Sequence, residues 1–464
     1  MSGSLLWLRR DLRLHDHPAL AAAARAERMT PAFCFDERLL AGRHASGPRT
    51  RFMLECLAEL GAQLRDRGSH LFVLSGDPAT ELRALAERIG ATELHLTADV
   101  GPFARRRQRE VKRTMEEHGI AVTAHPGMFC VDSLSEIRTG AGDPYTVFTP
   151  FHRNWLRRPR RSVLRMPATL PRPGADRGFG RLPSLASLGL QPEVPEPMPG
   201  GEEQARAALK RFLAGPVTRY GDGHDVLSGE SVSRLSPYLH FGCLSPREVE
   251  HRLGDGDSEQ AFRRQLCWRD FYGHVLGHFP ANARSEFQER YRGTLRYIDD
   301  QQRFDAWCAG ATGYPLVDAG MRQLRREGWL HNRARLVVGS FLTKDLGIDW
   351  RWGERWFMRL LLDGDEASNN GNWQWIASVG VDPQPASRRI FNPARQQERF
   401  DPDGTYVRRY VPELRDVPAE YLREPWTMPA EVQQRASCRI GRDYPEPIVD
   451  HAQARREALD RYRV

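Results

Sequence analysis

The sequence predicts an α/β domain built on a doubly wound parallel sheet, followed by a larger all-helical domain. Up to about residue 130, short apolar runs alternate with amphipathic segments, a pattern typical of a parallel sheet with helices on both faces. From residue 201 onward, almost every segment has helical periodicity. The chain has 464 residues, 40% of them hydrophobic, so it is long enough for two domains that each bury a core.

In the first domain, residues 1–130, five apolar runs predict the strands, and four segments with helical periodicity predict the helices between them. The predicted strands cover residues 5–8, 32–35, 71–74, 94–97 and 120–124, and the predicted helices cover residues 18–27, 49–67, 78–89 and 102–118. The first strand is not followed by GxGxxG, and GxxxxGK[ST] occurs nowhere. The chain therefore lacks the phosphate cradles of nicotinamide dehydrogenases and of nucleotide hydrolases.

Residues 131–200 predict an interdomain linker. The periodic pattern gives way there to Pro, Gly, Arg and Ser, and it ends in a proline-rich run over residues 191–199. The helical domain then covers residues 201–464. Ser245 followed by Pro246 predicts a helix start, and Gly328 and Gly347 predict helix ends.

The charge balance favours a nucleic acid as the partner over a membrane surface, because the net charge is +8. No apolar run approaches the roughly 20 residues that cross a bilayer, and the apolar start at 5–8 is too short for a signal peptide. Seven cysteines without a CxxC pair predict neither a disulfide framework nor a zinc site. We expect a cytoplasmic protein that holds no metal.

Three clusters of residues could carry chemistry. In the first, Tyr220 precedes the serine-rich stretch 231–242, where hydroxyls and free N–H groups at a helix start could seat a phosphate. An ordinary helix cap explains the same pattern. In the second, Gln265 and Trp268 lie three apart on a predicted helix over 258–278, so they share a face that could read a base taken out of its duplex. An aromatic core stripe is the alternative.

The third cluster covers residues 363–375, which are dense in acidic and amide groups and in tryptophan. If the segment from Asn369 onward is helical, Asn369 and Trp373 share a face, while Trp375 lies two positions further on and faces away. One side could then contact a cofactor and the other a substrate. The DGD sequence places its carboxylates too close together for a glycosidase pair and offers too few hard ligands for Mg²⁺.

Eight ordered blocks give the chain a resemblance to a known family along nearly its whole length. The blocks are WLRRDLRLHDHPAL, SRLSPYLHFG, WRDFY, TGYPLVDAGMRQL, GWLHNRAR, LLDGD, NNGNWQW and FNPARQ. They resemble the photolyase/cryptochrome family in content and in order, and among its members most closely the class I photolyases that act on cyclobutane pyrimidine dimers in DNA. The resemblance implies an α/β antenna domain and a helical domain that binds FAD.

The resemblance also implies the residues that hold FAD. Tyr220, Ser233, Leu235 and Ser236 would hold its phosphates, although Val232 departs from the usual threonine. Around the flavin and ribose, Arg335 would lie over the ring and pair with Asp363, Asp365 would hold the ribose, and Asn369 would face the N5 atom of the flavin.

The implied reaction is electron injection: excited, reduced FAD donates one electron to the dimer, the cyclobutane bonds split, and the electron returns. The dimer would be flipped into a pocket between two tryptophans, with further residues contacting its bases and phosphates. That set is Trp268, Trp375, Gln265, Asn332 and Arg333. Gln265 replaces the usual glutamate and Leu336 the usual methionine. Gln265 is shared with six-four photolyases, but Asn332 and Leu336 occupy the places of the two histidines that six-four repair uses.

The resemblance implies a photoreduction route through Trp373, Trp350 and Tyr297, where Tyr297 replaces a tryptophan. Oxidised tyrosine loses its proton at once, so it needs water or a base nearby. Core packing is the alternative for each of these aromatic residues.

Residues 99–107 resemble the members that bind an 8-hydroxy-5-deazaflavin antenna more than those that bind methenyltetrahydrofolate. We expect a monomer without an obligate protein partner. The alternative functions are a cryptochrome-like photoreceptor without repair activity, a photolyase for another photoproduct, and an electron-transfer flavoprotein without DNA, which the basic charge disfavours.

Overall fold

A computed structural model describes residues 3–175, 180–381 and 384–463. Its N-terminal part contains one sheet of five parallel strands in the order β3-β2-β1-β4-β5. The strands are β1 (Gly3–Leu8), β2 (Arg28–Phe35), β3 (Phe72–Ser75), β4 (Glu93–Thr97) and β5 (Ala121–His125). This confirms the predicted doubly wound α/β fold. The strand order reverses between β1 and β4, and the crevice beyond the carboxyl ends of such a pair is where doubly wound folds bind ligands.

Five helices cover the sheet, and they are α1 (Pro18–Ala23), α2 (Glu37–Leu40), α3 (Gly47–Asp66), α4 (Pro78–Ile89) and α5 (Pro102–Glu117). Helix α1 ends four residues before its predicted end. The cause is strand pairing, because β1 pairs with β2 from Gly3 opposite Arg28 to Leu8 opposite Phe33. Strand β2 therefore begins at Arg28, and α1 has to end before it.

The segment 131–200, expected as a linker, contains helix α6 (Phe148–Arg157). Phe148, Phe151 and Trp155 are buried on one face of this helix, and the Trp155 indole donates to Asp270 Oδ2 at 2.9 Å. The three aromatic residues have helical spacing. The helix was not predicted, because a proline in its first turn and the neighbouring arginines are typical of a linker. Part of the segment therefore belongs to the packed core.

The elements described from residue 201 onward are helical, apart from one isolated bridge between Ile440 and Tyr444. The α-helices are α7 (Glu202–Leu213), α8 (Tyr220–Gly223), α9 (Ser236–Phe241), α10 (Pro246–His251), α11 (Asp257–His278), α12 (Gln301–Ala309), α13 (Pro315–Glu327), α14 (Asn332–Ser340), α15 (Trp350–Leu360), α16 (Glu366–Ile376), α17 (Pro393–Phe400), α18 (Thr405–Tyr410), α19 (Ala430–Arg435) and α20 (His451–Arg461). Shorter 3-10 helices cover Ala186–Leu188, Pro216–Arg219, Pro280–Ala283, Glu289–Tyr291, Ala386–Arg389, Pro412–Leu414 and Pro425–Thr427, and a π-helical turn covers Phe341–Asp345.

The predicted helix signals of this domain are confirmed. The Ser245 hydroxyl accepts hydrogen bonds from the backbone N–H groups of Arg247 and Glu248 at the start of α10. Gly328 ends α13 at φ 62° and Gly347 follows the π-helical turn at φ 67°, both in the left-handed region that favours glycine. Among the described residues, no helix is long and apolar enough to span a membrane.

The segment that follows β1 joins the two domains. Arg13 is 1% exposed, and its guanidinium donates to the Gly242 carbonyl at 2.9 Å and to the Gly127 carbonyl at 3.0 Å. Gly242 has to be a glycine for two reasons. It adopts φ +67°, and a Cβ atom there would lie 2.2 Å from the Arg10 carbonyl oxygen. The residues directly after β1 are thus held tightly against the helical domain.

Candidate functional site

Arg10 occupies the crevice where the strand order reverses. Its guanidinium lies 2.9 Å from Asp99, which follows β4, and 2.6 Å from Asp365 on the helical domain. Asp365 also caps α16, because its Oδ1 atom accepts from the Ser368 N–H at 2.9 Å. Burial by itself raises the pKa of Asp365, but the attractions of Arg10, His240 and Arg269 together outweigh it and hold that pKa well below its usual range. The predicted ribose ligand is therefore an ionised carboxylate.

A cavity of about 770 Å³ opens beside this ion pair and is lined by residues of both domains. Arg38, Arg106 and Arg107 surround the Phe103 ring on one side, with guanidinium carbons 5.4 to 5.5 Å from its centre. Asp36 pairs with Arg38 and Arg107, and all five residues line the cavity. The combination of an apolar ring with guanidinium groups held by Asp36 suits a planar ligand with polar substituents.

In the helical domain, Arg335 and Asp363 form the predicted ion pair. Arg335 Nη2 donates to Asp363 Oδ2 at 2.8 Å, and Arg335 Nε donates to the Leu330 carbonyl at 2.9 Å. Asp363 Oδ1 is buried and has no hydrogen-bond partner in the part of the chain that the structure describes. A buried carboxylate oxygen without a donor is costly, so this atom points to a ligand that supplies an N–H or O–H group.

Asn369 and Trp373 lie together on the inner face of α16, 8% and 3% exposed. The Asn369 amide donates to the Glu354 carbonyl oxygen at 3.0 Å, and burial raises the pKa of the Glu354 carboxyl to about 6. The centre of the Trp373 ring lies 6.2 Å from that of Trp307. Sequence reasoning did not single out Trp307, although it belongs to the same tryptophan-rich region.

The predicted phosphate seat is a tight turn before α9. The Leu235 N–H donates to the Ser233 hydroxyl at 3.4 Å, and Ser236 is the first residue of the helix. Between them, Arg234 adopts φ +52°, in the left-handed region. Tyr220 is half-buried, and its ring centre lies 5.0 Å from that of His224 in a stacked arrangement. Val232 is half-buried beside the turn and contributes no hydroxyl.

The second predicted cluster lies on α11. Trp268 is half-buried and stacks on Phe148 of α6, with ring centres 3.6 Å apart and planes at 3°. Gln265, one turn earlier, is exposed. Helix α11 packs on α16, where the Tyr272 hydroxyl donates to Asn372 at 3.2 Å. A Cβ atom at Gly371 would lie 2.2 Å from the Tyr272 ring, so only glycine permits this contact.

The other predicted lesion contacts lie on α14 and α16. Trp375 is half-buried, and the guanidinium of Arg389 lies 3.9 Å from the centre of its ring. Asn332 is exposed at the first position of α14. Arg333 already has an anionic partner, because its Nε atom donates to Asp225 at 3.2 Å. Leu336 is half-buried on the same helix.

The predicted electron route ends in a shared carboxylate. Trp350, 1% exposed, donates from Nε1 to Glu286 Oε1 at 3.4 Å, and the Tyr297 hydroxyl lies 3.5 Å from the same oxygen. Sequence reasoning did not single out Glu286, because it lies in an irregular segment far along the chain from Trp350. No sequence signal marks such a contact.

Two family models match this chain. One is described as "DNA photolyase" and matches residues 4–173, and the other as "FAD binding domain of DNA photolyase" and matches residues 262–464. The deoxyribodipyrimidine photo-lyase of Streptomyces griseus is 42% identical over 471 residues, which cover 98% of each chain. The chain belongs to the DNA photolyase family.

Solved structures of photolyases and cryptochromes agree with this assignment. A class III photolyase from Agrobacterium tumefaciens matches with a TM-score of 0.92 and 35% identity, over 100% of this chain and 97% of its own. A cryptochrome from Synechocystis matches with a TM-score of 0.90 and 29% identity, over 99% of both chains. This photolyase therefore carries an FAD-binding domain, and the unpartnered Asp363 Oδ1 fits a flavin that donates an N–H group there.

Proposed function

We propose that this photolyase repairs cyclobutane pyrimidine dimers in DNA by electron transfer from excited, reduced FAD. One observation carries the proposal. Two half-buried tryptophans, Trp268 on α11 and Trp375 on α16, lie on packed helices, and α16 presents the buried Asn369 and Trp373 on its other side. Helix α16 thus lies between the buried site proposed for the flavin and the accessible tryptophan proposed for the lesion. Light-driven electron transfer from cofactor to base requires such a short separation.

FAD, when bound, would supply the photoexcitable electron donor. Ser233, Leu235, Ser236 and Tyr220 would hold its phosphates, and the ionised Asp365 would accept from its ribose. The Arg335–Asp363 pair would hold a flavin edge, and the Asn369 amide would face the flavin N5 atom, where an amide can either donate or accept. Because the Asn369 amide is fixed by the Glu354 carbonyl, its orientation is set before the cofactor binds.

For the lesion, we propose stacking on Trp268 and Trp375, with Gln265 and Asn332 hydrogen-bonding the flipped bases. Phe148 stacks on Trp268, and the guanidinium of Arg389 lies over the ring of Trp375, so the orientation of both rings is fixed. Arg333 would contact the phosphates beside the lesion, and its pairing with Asp225 orients the guanidinium. A damaged step stacks poorly and costs less to extrude, which favours lesions over intact DNA.

We propose that Trp373, Trp350 and Tyr297 carry electrons to oxidised FAD during photoreduction.

The proposed antenna is a deazaflavin in the 770 Å³ cavity, since the arginines around Phe103 suit a planar ligand with polar substituents. Class I membership, a monomeric state and a cytoplasmic location are the simplest expectations. Chromophores released from the purified protein can be identified by mass spectrometry. A deazaflavin would support this assignment, and a folate would overturn it.

The decisive test is illumination of the pre-reduced protein with oligothymidylate that contains dimers. We expect thymine absorbance to return in the light and not in the dark. Binding of dimer DNA should weaken with salt, with a log–log slope of about −0.9 per phosphate contacted on duplex DNA. Photoreduction without any repair would instead assign the protein to the cryptochrome-like photoreceptors. Repair of a different photoproduct, and not of cyclobutane dimers, would mean that the proposed substrate is wrong.

A further inference from the structure

Glu286 lies between two members of the proposed electron route. Its Oε1 atom accepts from Trp350 Nε1 at 3.4 Å and from the Tyr297 hydroxyl at 3.5 Å. Its Oε2 atom accepts from Arg351 at 2.7 Å. Glu286 is 4% exposed, so this carboxylate contacts protein groups rather than bulk water.

The fold holds Glu286 in this place through helix α16. The amide of Gln374 donates to the carbonyls of Asn282 and Ser285 at 3.0 Å each, and its oxygen accepts from the Phe287 N–H at 2.9 Å. The Glu286 carbonyl itself accepts from Arg292 at 2.9 Å. The segment is therefore fixed on both sides of Glu286 by the helix that carries Trp373.

The charge states suit a proton acceptor and a proton donor. Burial by itself raises the pKa of Glu286, but the hydrogen bond and charge of Arg351, a backbone N–H and the Trp350 indole together outweigh it and lower that pKa, so the carboxylate is ionised at neutral pH. Burial raises the pKa of the Tyr297 phenol. Tyr297 therefore keeps its proton until it is oxidised.

We propose that Glu286 is the proton acceptor for Tyr297 during photoreduction. Trp350, as an indole radical cation, takes one electron from Tyr297 and returns to neutral tryptophan. The phenolic proton moves to Glu286 Oε1, which leaves a neutral tyrosyl radical and a neutral carboxylic acid. Oxidised FAD, when bound and photoexcited, would supply the oxidant that produces the Trp350 cation, with Trp373 as the intermediate carrier. The assignment thus rests on the electron route proposed above.

A base in this position makes the last transfer effective. Oxidised phenol is a strong acid, so an electron leaves Tyr297 readily only if its proton has somewhere to go within hydrogen-bond reach. Among the described residues, the hydrogen bond of the Tyr297 hydroxyl is to Glu286. Once the proton has moved, back transfer requires its return, so charge recombination is slow.

The test uses the FAD-loaded protein with oxidised flavin, a blue flash and transient absorption. Glu286→Gln keeps an acceptor oxygen, but an amide does not take up a proton at neutral pH. We expect Tyr297 oxidation to slow by about 10²-fold or more and the radical to remain on Trp350. Asp349→Asn is the matched control, because Asp349 pairs with the same Arg351 at 3.2 Å. This control should oxidise Tyr297 at the wild-type rate.

Infrared difference spectra give a second readout that does not depend on a Glu286 variant. In the wild-type protein, the tyrosyl radical should appear together with a carboxylic acid C=O band that shifts when glutamate is labelled with ¹³C. That band should rise together with the tyrosyl radical and not with the earlier Trp350 radical cation, whose indole N–H also donates to Glu286. A band that rises at full amplitude before Tyr297 is oxidised would mean that the proton comes from Trp350, and it would overturn the proposal.

The outcomes also separate this proposal from the route on which it rests. If the wild-type protein forms no radical on any aromatic residue, the route itself is wrong, and the assignment of Glu286 with it. If the tyrosyl radical forms equally fast in wild-type and Glu286→Gln proteins, the route stands and Glu286 is not the acceptor.

Discussion

Arg10 Nη1 lies 2.6 Å from Asp365 Oδ2, and this ion pair joins the end of strand β1 to the first turn of helix α16. The same guanidinium contacts Asp99 after β4. A single arginine therefore neutralises two carboxylates from different domains, between the proposed antenna cavity and the proposed flavin site. Their relative position is set by charge as well as by apolar packing.

Replacing Arg10 by Gln should destabilise the protein by about 3 to 5 kcal/mol at neutral pH, because Asp99 and Asp365 then lose their buried partner. Arg10 holds the pKa of both carboxyls below their usual range, so its contribution is present above pH 4 and is lost as the pH falls further. Thermal unfolding at several pH values measures this. Arg51→Gln, which breaks an exposed pair with Glu55, should change little, and an equal loss in both variants would contradict the prediction.

Replacing Asp363 by Asn should weaken FAD binding by about 10- to 100-fold, the usual effect of removing a hydrogen bond to a charged group. The variant removes the charge that pairs with Arg335 and the unpartnered oxygen assigned to the flavin. The ratio of flavin to protein absorbance after gel filtration reports the loss. Asp143→Asn, at an exposed loop position, serves as the control. Full retention of FAD in Asp363→Asn would remove Asp363 from the site.

Replacing Trp268 by Ala should reduce affinity for dimer-containing DNA by about 1 to 3 kcal/mol, which is the range for a base-stacking aromatic residue. Undamaged DNA should be affected less. Phe148→Leu is the control for packing, because it removes the ring stacked 3.6 Å from Trp268 but keeps an apolar side chain there. Filter binding or fluorescence anisotropy gives both affinities. If the two variants lose equal affinity, Trp268 acts through the core rather than through the base.

Asp270 should make stability depend on pH in the acidic range. It is fully buried and accepts from the Trp155 indole and the Cys130 N–H, and burial raises its pKa to about 6. Because the pKa in the unfolded chain is about 4, the ionised form costs about 3 kcal/mol in the fold, so stability falls as the pH rises from about 4 to 6.

The uncharged Asp270→Asn variant does not pay this cost of burying an ionised carboxylate. Its melting temperature relative to the wild type should therefore rise between pH 4 and pH 7, as measured by scanning calorimetry. A difference that does not change with pH would show that the fold does not raise the pKa of Asp270.

The sequence predicted the elements that depend on local signals. The five strands and the long helices follow from apolar periodicity, and helix α4 (Pro78–Ile89) has the predicted bounds because Asp77 caps it and Gly90 ends it. Helix α6 was missed, since its aromatic stripe makes sense only against Asp270, more than a hundred residues away. The same holds for the site. Resemblance named Arg335 and Asp363, whereas the roles of Arg10, Phe148 and Glu286 depend on contacts between distant segments that no local pattern records.

The positions of the side chains on helix α16 restrict insertions and deletions within that helix. Asn369 and Trp373 point to one side, Trp375 to another, and Gly371 lies against Tyr272. One inserted residue after Asn369 would turn every later side chain by about 100°. Trp373 would leave the core, Trp375 would rotate off its accessible face, and a side chain would meet the Tyr272 ring. This stretch is therefore constrained in length, because one insertion or deletion would move the buried residues of α16 and its accessible tryptophan out of place together.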